Sequence, residues 1–133
     1  MTRIDVATGA RRNIPVSGDA AGVVVSGGFV WVVLPEQDLV ARFRTSGRFA
    51  AAGRERVGDA PRFLDAGGGA VWVANELSDS LTRLDVRTGK TVETVEDVAR
   101  NPRAVSVRGT TAWVASADAG TVTRVDFARP PRR

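Results

Sequence analysis

The three tryptophans of this 133-residue chain, Trp31, Trp72 and Trp113, are separated by 41 and 41 residues, and the sequence around them recurs with them. Each lies in a short apolar segment preceded by small residues: SGGFVWVV at 26–33, GGGAVWVA at 67–74 and RGTTAWVA at 108–115. Eleven residues after each tryptophan comes an arginine, Arg42, Arg83 or Arg124. Upstream, DAPRFLDAGGG from Asp59 aligns with NPRAVSVRG from Asn101, so Pro61 and Pro102 keep the same 41-residue spacing, whereas the first copy, DAAGVVVSGG from Asp19, has no proline. Downstream, SLTRLDVRTG from Ser80 matches GTVTRVDFAR from Gly120 and also the chain start, MTRIDVATG. A fixed period of this length marks a row of supersecondary units, none of which can bury its faces without its neighbours.

Within one period the residues read as strands. β-Branched and aromatic residues alternate or run between clusters of Gly, Pro, Asp and Asn. In the middle copy, strands are expected at 61–66 (a), 70–75 (b), 80–85 (c) and 90–97 (d), with the Gly67–Gly69 run turning a into b and RTG ending at Gly89 turning c into d. No window shows helical periodicity with caps, so no helix is expected. A four-stranded antiparallel unit repeated every 40 to 50 residues with an aromatic signature describes a blade, and the fold class is all-β, a β-propeller of about three blades in an incomplete ring. Equivalent tryptophans in every copy suit blade-to-blade packing, each burying roughly 150–250 Å², or roughly 4–6 kcal/mol as an upper bound.

The pattern P…V…GG.VWVAN…D.LTR.D..TGK.V..V resembles the YVTN or NHL-type propeller repeats of YncE-like and virginiamycin B lyase-like proteins, and the resemblance covers nearly the whole chain. It implies a propeller serving as a sensor domain, a binding protein or a lyase. Lyases of that kind work with a histidine and a bound metal, and this chain contains no histidine.

Counting strands gives c and d at the N-terminus (about 2–6 and 11–16), two full repeats, then a, b and c. The expected units are 1–18 (partial), 19–58, 59–99 and 100–127 (partial), with 128–133 a disordered tail. Propellers typically close with 4 to 8 blades. The open faces are therefore expected to be covered either by missing blades of a longer chain or by a second copy joined head to tail. In the second case strand d at 11–16 completes the partner's last blade and one redundant c strand is displaced.

Composition narrows the chemistry. The chain has no Cys, His or Tyr, which removes thiolate, imidazole and phenol catalysis and any histidine-ligated zinc site. The expectation is a non-catalytic module without a cofactor. The alternatives are a piece of a lyase-like enzyme whose active residues lie in other blades, or the sensor domain of a signalling or transcription protein. Net charge is +4 from eighteen arginines and Lys90 against fifteen carboxylates. The arginines are interspersed with Asp and Glu and lack interleaved aromatics, so nucleic acid is not the expected partner. No segment has the length of a membrane span or the apolar core of a signal peptide, and the chain as written is expected to stay in the cytoplasm.

Site candidates lie in the d-to-a and b-to-c loops, which open together on one face. Glu36, Asp38, Asn75, Glu76, Asp79, Ser116 and Asp118 offer oxygen ligands of the type calcium takes, but the expected role is turn capping, with no metal. Asp5, Asp85 and Asp126 recur with the TR.D element and are expected to bond the following turn or pair with Arg3, Arg83 and Arg124. The ligand-facing set is Asp19, Asp59, Arg62, Asn75, Glu76, Asp79, Arg100, Asn101, Arg103 and Asp118. Arg62 and Arg103 follow the repeat proline, with Gly22 as their approximate counterpart in the first copy. They are expected either to clamp an anionic group of a protein, peptide or small ligand or to pair with neighbouring Asp side chains.

Overall fold

The structure, a computed structural model, describes residues 1–127; the tail expected at 128–133 lies outside the described residues. Thirteen strands form four antiparallel sheets. The first is a hairpin of β1 (Thr2–Ile4) and β2 (Arg11–Asn13). The second runs β3 (Gly22–Ser26), β4 (Phe29–Leu34), β5 (Leu39–Arg44) and β6 (Ala51–Arg56) in that order. The third repeats it with β7 (Pro61–Gly67), β8 (Ala70–Asn75), β9 (Ser80–Asp85) and β10 (Thr91–Val95). The fourth holds β11 (Pro102–Arg108), β12 (Thr111–Ser116) and β13 (Thr121–Asp126). Strands a, b, c and d are thus present three, three, four and three times among the described residues. The expectation of no helix holds except for a single 3-10 turn, Pro35–Gln37, where proline sets φ at the start of the β4–β5 loop. No helix among the described residues is long and apolar enough to cross a membrane.

In the two complete four-stranded sheets, strand b carries the apolar run because it is covered on both faces. Every residue of β8 is buried, whereas the outer strands β6 and β10 are mostly exposed or half-buried. Each a-to-b hairpin is a two-residue turn. Gly27–Gly28 and Gly68–Gly69 all have positive φ, the geometry whose twist matches paired strands and which glycine adopts without steric cost.

The eleven-residue interval between each Trp and Arg proves to be a cross-strand pair. Trp31 faces Arg42, Trp72 faces Arg83 and Trp113 faces Arg124 across strands b and c. The guanidinium carbons lie 5.4, 5.7 and 5.7 Å from the respective indole centroids, within cation–π range. On the same face of the sheet as these pairs, neighbouring blades interlock. Trp31, Val33 and Val40 pack on Leu64, Ala66, Val71 and Val73 of the next blade. Trp72, Ala74 and Leu81 pack on Val105, Val107, Ala112 and Val114 in the same way. Trp31 and Trp72 are 1% and 0% exposed, but Trp113 is 45% exposed. The third tryptophan therefore departs from the expected shared interface, because no blade follows β11–β13 among the described residues.

The TR.D..TG element builds one turn twice. The Asp5 carboxylate accepts the N–H groups of Ala7 and Thr8 at 2.9 and 3.3 Å, and Asp85 accepts those of Arg87 and Thr88 at 2.7 and 3.1 Å. Gly9 and Gly89 then close the loop onto the carbonyls of Asp5 and Asp85. Asp126 instead accepts from Thr111 and pairs with Arg124 at 3.0 Å, since no TG follows it. The bonds from Arg87 and Thr88 hold the Asp85 carboxyl below the ordinary value of 3.8. Because the folded value is depressed, this contribution is present above 3.8 and is lost as pH falls through the lowered folded value. Asp85→Ala is expected to cost about 1 kcal/mol near neutral pH, read from urea midpoints, with the deficit shrinking in acid.

Candidate functional site

Strands a (β3, β7 and β11) lie side by side, so the loops leading into them gather where neighbouring blades meet, alongside the b-to-c loops. Their local geometry follows from proline. Pro61 and Pro102 have no N–H for the ladder, and the pairing of each strand shifts by one residue immediately after them, between Pro61 and Phe63 and between Pro102 and Ala104. Arg62 and Arg103 are the bulged residues, which aims them out of the sheet. Strand β3 has no proline and pairs without a bulge. Its Gly22 opposes Val33 as Phe63 opposes Ala74, so the counterpart of Arg62 is Ala21 and not Gly22 as the sequence alignment suggests.

Both arginines converge on one carboxylate. Arg62 Nε lies 2.9 Å from one Glu76 oxygen and Arg103 Nη2 lies 3.3 Å from the other, bridging two adjacent blades. Of the expected alternatives, the pairing partner is thus a shared glutamate instead of separate aspartates. The arginine side chains remain 48% and 57% exposed, against 13% for Glu76. Two guanidinium groups against one carboxylate leave one positive charge uncompensated within this cluster. Beside it, an open groove of about 290 Å³ is lined by Gly22, Val23, Arg62, Phe63, Leu64 and Val105.

The other candidates divide into exposed and structural groups. Asp19, Asp59, Arg100 and Asp118 are exposed on these loops. Asp118 accepts from the Asn101 side-chain amide at 3.3 Å. Ser116 Oγ donates to the Arg100 carbonyl, tying the fourth sheet's b-to-c loop to the segment before β11. Asn75 cannot meet a ligand: it is 0% exposed, at the end of a strand enclosed on both faces, and its amide donates to Ser80 and Thr82 at 3.0 and 2.9 Å. Asp79 has a left-handed backbone, φ 53°, and its carboxylate accepts the Asn101 N–H at 2.9 Å while its carbonyl accepts the Val98 N–H at 2.9 Å. Asp38 repeats this with φ 57°, holding the N–H groups of Ala60 and Val57, both at 3.0 Å. Each is a clip between a b-to-c turn and the crossover to the next blade. The sequence signal, Asp at 41-residue spacing just before strand c, was visible, but the bonded partner lies 22 residues further on. Among the described residues, no group of three or more Asp or Glu side chains is placed to hold a metal ion.

Radially packed four-stranded antiparallel blades with their loops gathered on one face define a β-propeller whose ring is not closed. The likeness to solved structures is of the same kind. The chain is similar to Kuenenia stuttgartiensis hydrazine synthase (TM-score 0.84, 21% identity, covering 94% of this chain and 39% of that one). It is also similar to a functionally unknown protein from Desulfotomaculum acetoxidans (TM-score 0.76, 18% identity, 94% and 47%). Similarity extends to Citrobacter koseri AztD (TM-score 0.68, 14% identity, 94% and 38%). The chain thus spans less than half the length of each of these proteins, and at these identities the likeness concerns the fold. No family model matches the sequence, and no curated protein matches it.

Proposed function

We propose that this β-propeller, built of YVTN or NHL-type repeats, is a binding module that takes a carboxylate-bearing ligand at its loop face and performs no chemistry of its own. The observation that carries this reading is the pair of half-exposed arginines, Arg62 and Arg103, sharing the single carboxylate of Glu76 beside the groove. An incoming carboxylate gains charge-assisted bonds from guanidinium groups already held in place, so little side-chain ordering remains to oppose binding. The groove wall, with Phe63, Leu64 and Val105, suits an apolar body attached to that anionic end, such as a peptide terminus or a sugar acid.

The test is calorimetric titration of glucuronate and of a short peptide with a free C-terminus, each against its uncharged methyl ester or amide. Arg62→Ala and Arg103→Ala are each expected to weaken binding roughly tenfold. Glu76→Gln is expected to strengthen it several-fold, because it releases both guanidinium groups from their present partner. Equal heats for the acid and its neutral analogue, or weaker binding by Glu76→Gln, would sink the reading.

A further inference from the structure

Four exposed apolar residues stand at positions that are interfacial elsewhere in the repeat. On the last blade, Trp113 and Val122 are 45% and 66% exposed. Their equivalents at 41-residue spacing, Trp72 with Leu81 and Trp31 with Val40, are 0–2% exposed and face the following blade. On the first complete blade, Val23 and Val25 are 58% and 64% exposed. Their equivalents, Leu64 with Ala66 and Val105 with Val107, are the residues that receive the preceding blade's tryptophan. One end of the molecule therefore presents the tryptophan side of a blade junction and the other end presents the receiving side. An apolar groove of about 340 Å³ lies along the receiving side, lined in part by Val23, Val25, Val30, Ile14, Phe49 and Met1.

We propose that a second copy of this chain fills that groove, so that two chains close head to tail into a six-bladed ring with two identical junctions. The occupant is identified by the repeat itself, since each junction continues the two blade interfaces already present within the chain. Two c strands compete at each junction, β1 of one copy and β13 of the other, both carrying the TR.D sequence. The geometry decides which yields. β13 pairs with β12 over six residues and leads into Phe127, whose ring lies 4.6 Å from that of Trp72. β1 pairs with β2 over three residues, all exposed. β1 therefore leaves, and β2 becomes the fourth strand beside the partner's β13, as β10 lies beside β9. Its following residues, Ile14 and Val16, already pack at the receiving face and stay there. A heterologous junction of this kind closes when its rotation completes a ring, which removes the free strand edges.

Sedimentation equilibrium on the full 133-residue chain is expected to give a single species of twice the monomer mass. Val25→Glu, at a side chain exposed in the single chain and so able to fold, is expected to weaken association at least about 100-fold and yield monomer. Leu77→Glu, at a residue 75% exposed on the b-to-c loop of the middle blade and away from both ends, is expected to remain dimeric. Acrylamide is expected to quench no tryptophan of the wild-type dimer and one of three in the Val25→Glu monomer. A wild-type monomer overturns the proposal, as does a dimer that survives Val25→Glu. Polydisperse aggregate overturns it as well, pointing to further blades of a longer chain as the natural cover.

Discussion

Replacing Trp72 by alanine is expected to lower the unfolding free energy by about 3–5 kcal/mol. The side chain is fully enclosed between two blades, with Ala70, Ala74 and Leu81 of its own sheet and Val105, Val107, Ala112 and Val114 of the next in one cluster. Truncation removes the transfer energy of the indole and leaves a void whose walls are strands, which cannot collapse inward without breaking their ladders. It also strips Arg83 and Phe127 of the ring they pack against, at 5.7 and 4.6 Å. A loss of this size is a large share of the 5–15 kcal/mol typical of a whole domain. Urea unfolding should show a much lower midpoint with an unchanged slope, whereas Val6→Ala, at a residue 98% exposed, should shift the midpoint negligibly. A Trp72→Ala protein as stable as wild type would mean that the blades do not depend on this junction.

Asp79→Ala is expected to cost about 2–4 kcal/mol by two additive routes. The carboxylate's bond to the Asn101 N–H is charge-assisted, and losing it leaves a donor at a blade crossover without its acceptor. The backbone at Asp79 is left-handed, φ 53°, a conformation that aspartate and asparagine tolerate and alanine resists by roughly 1 kcal/mol. Asp79→Asn keeps both the oxygen acceptor and the tolerance, and should restore most of the loss. Faster hydrogen exchange at Asn101 in Asp79→Ala, restored in Asp79→Asn, would locate the effect at the clip. Equal destabilisation by both substitutions would show that the negative charge matters there and the turn geometry does not.

The loop face illustrates how far a single sequence can be read. Arg62 and Arg103 were legible as equivalent residues after a proline. Their common partner was not, because Glu76 lies between them on a different loop and reaches both only once two blades are packed together. The same holds for Asn75. In the sequence it is one more polar residue at the end of a strand, and its complete burial depends on Gly58, whose missing Cβ leaves room for the Asn75 amide. Gly22 falls one residue out of register because aligning Asp19 with Asp59 uses a 40-residue spacing, whereas the 41-residue period of the tryptophans carries Arg62 onto Ala21, as the strand pairing does.

The period, the strand order within each unit, the glycine turns and the propeller class follow from the amino-acid sequence alone. They are local consequences of side-chain shape and backbone freedom repeated every 41 residues, and repetition makes the local signal additive. Which tryptophan stays open, which aspartates become clips and which glutamate two arginines share were decided only by the tertiary structure. Those properties depend on what stands against each face of a blade, and repeats of nearly the same sequence differ in burial when one has a neighbour and the next has none.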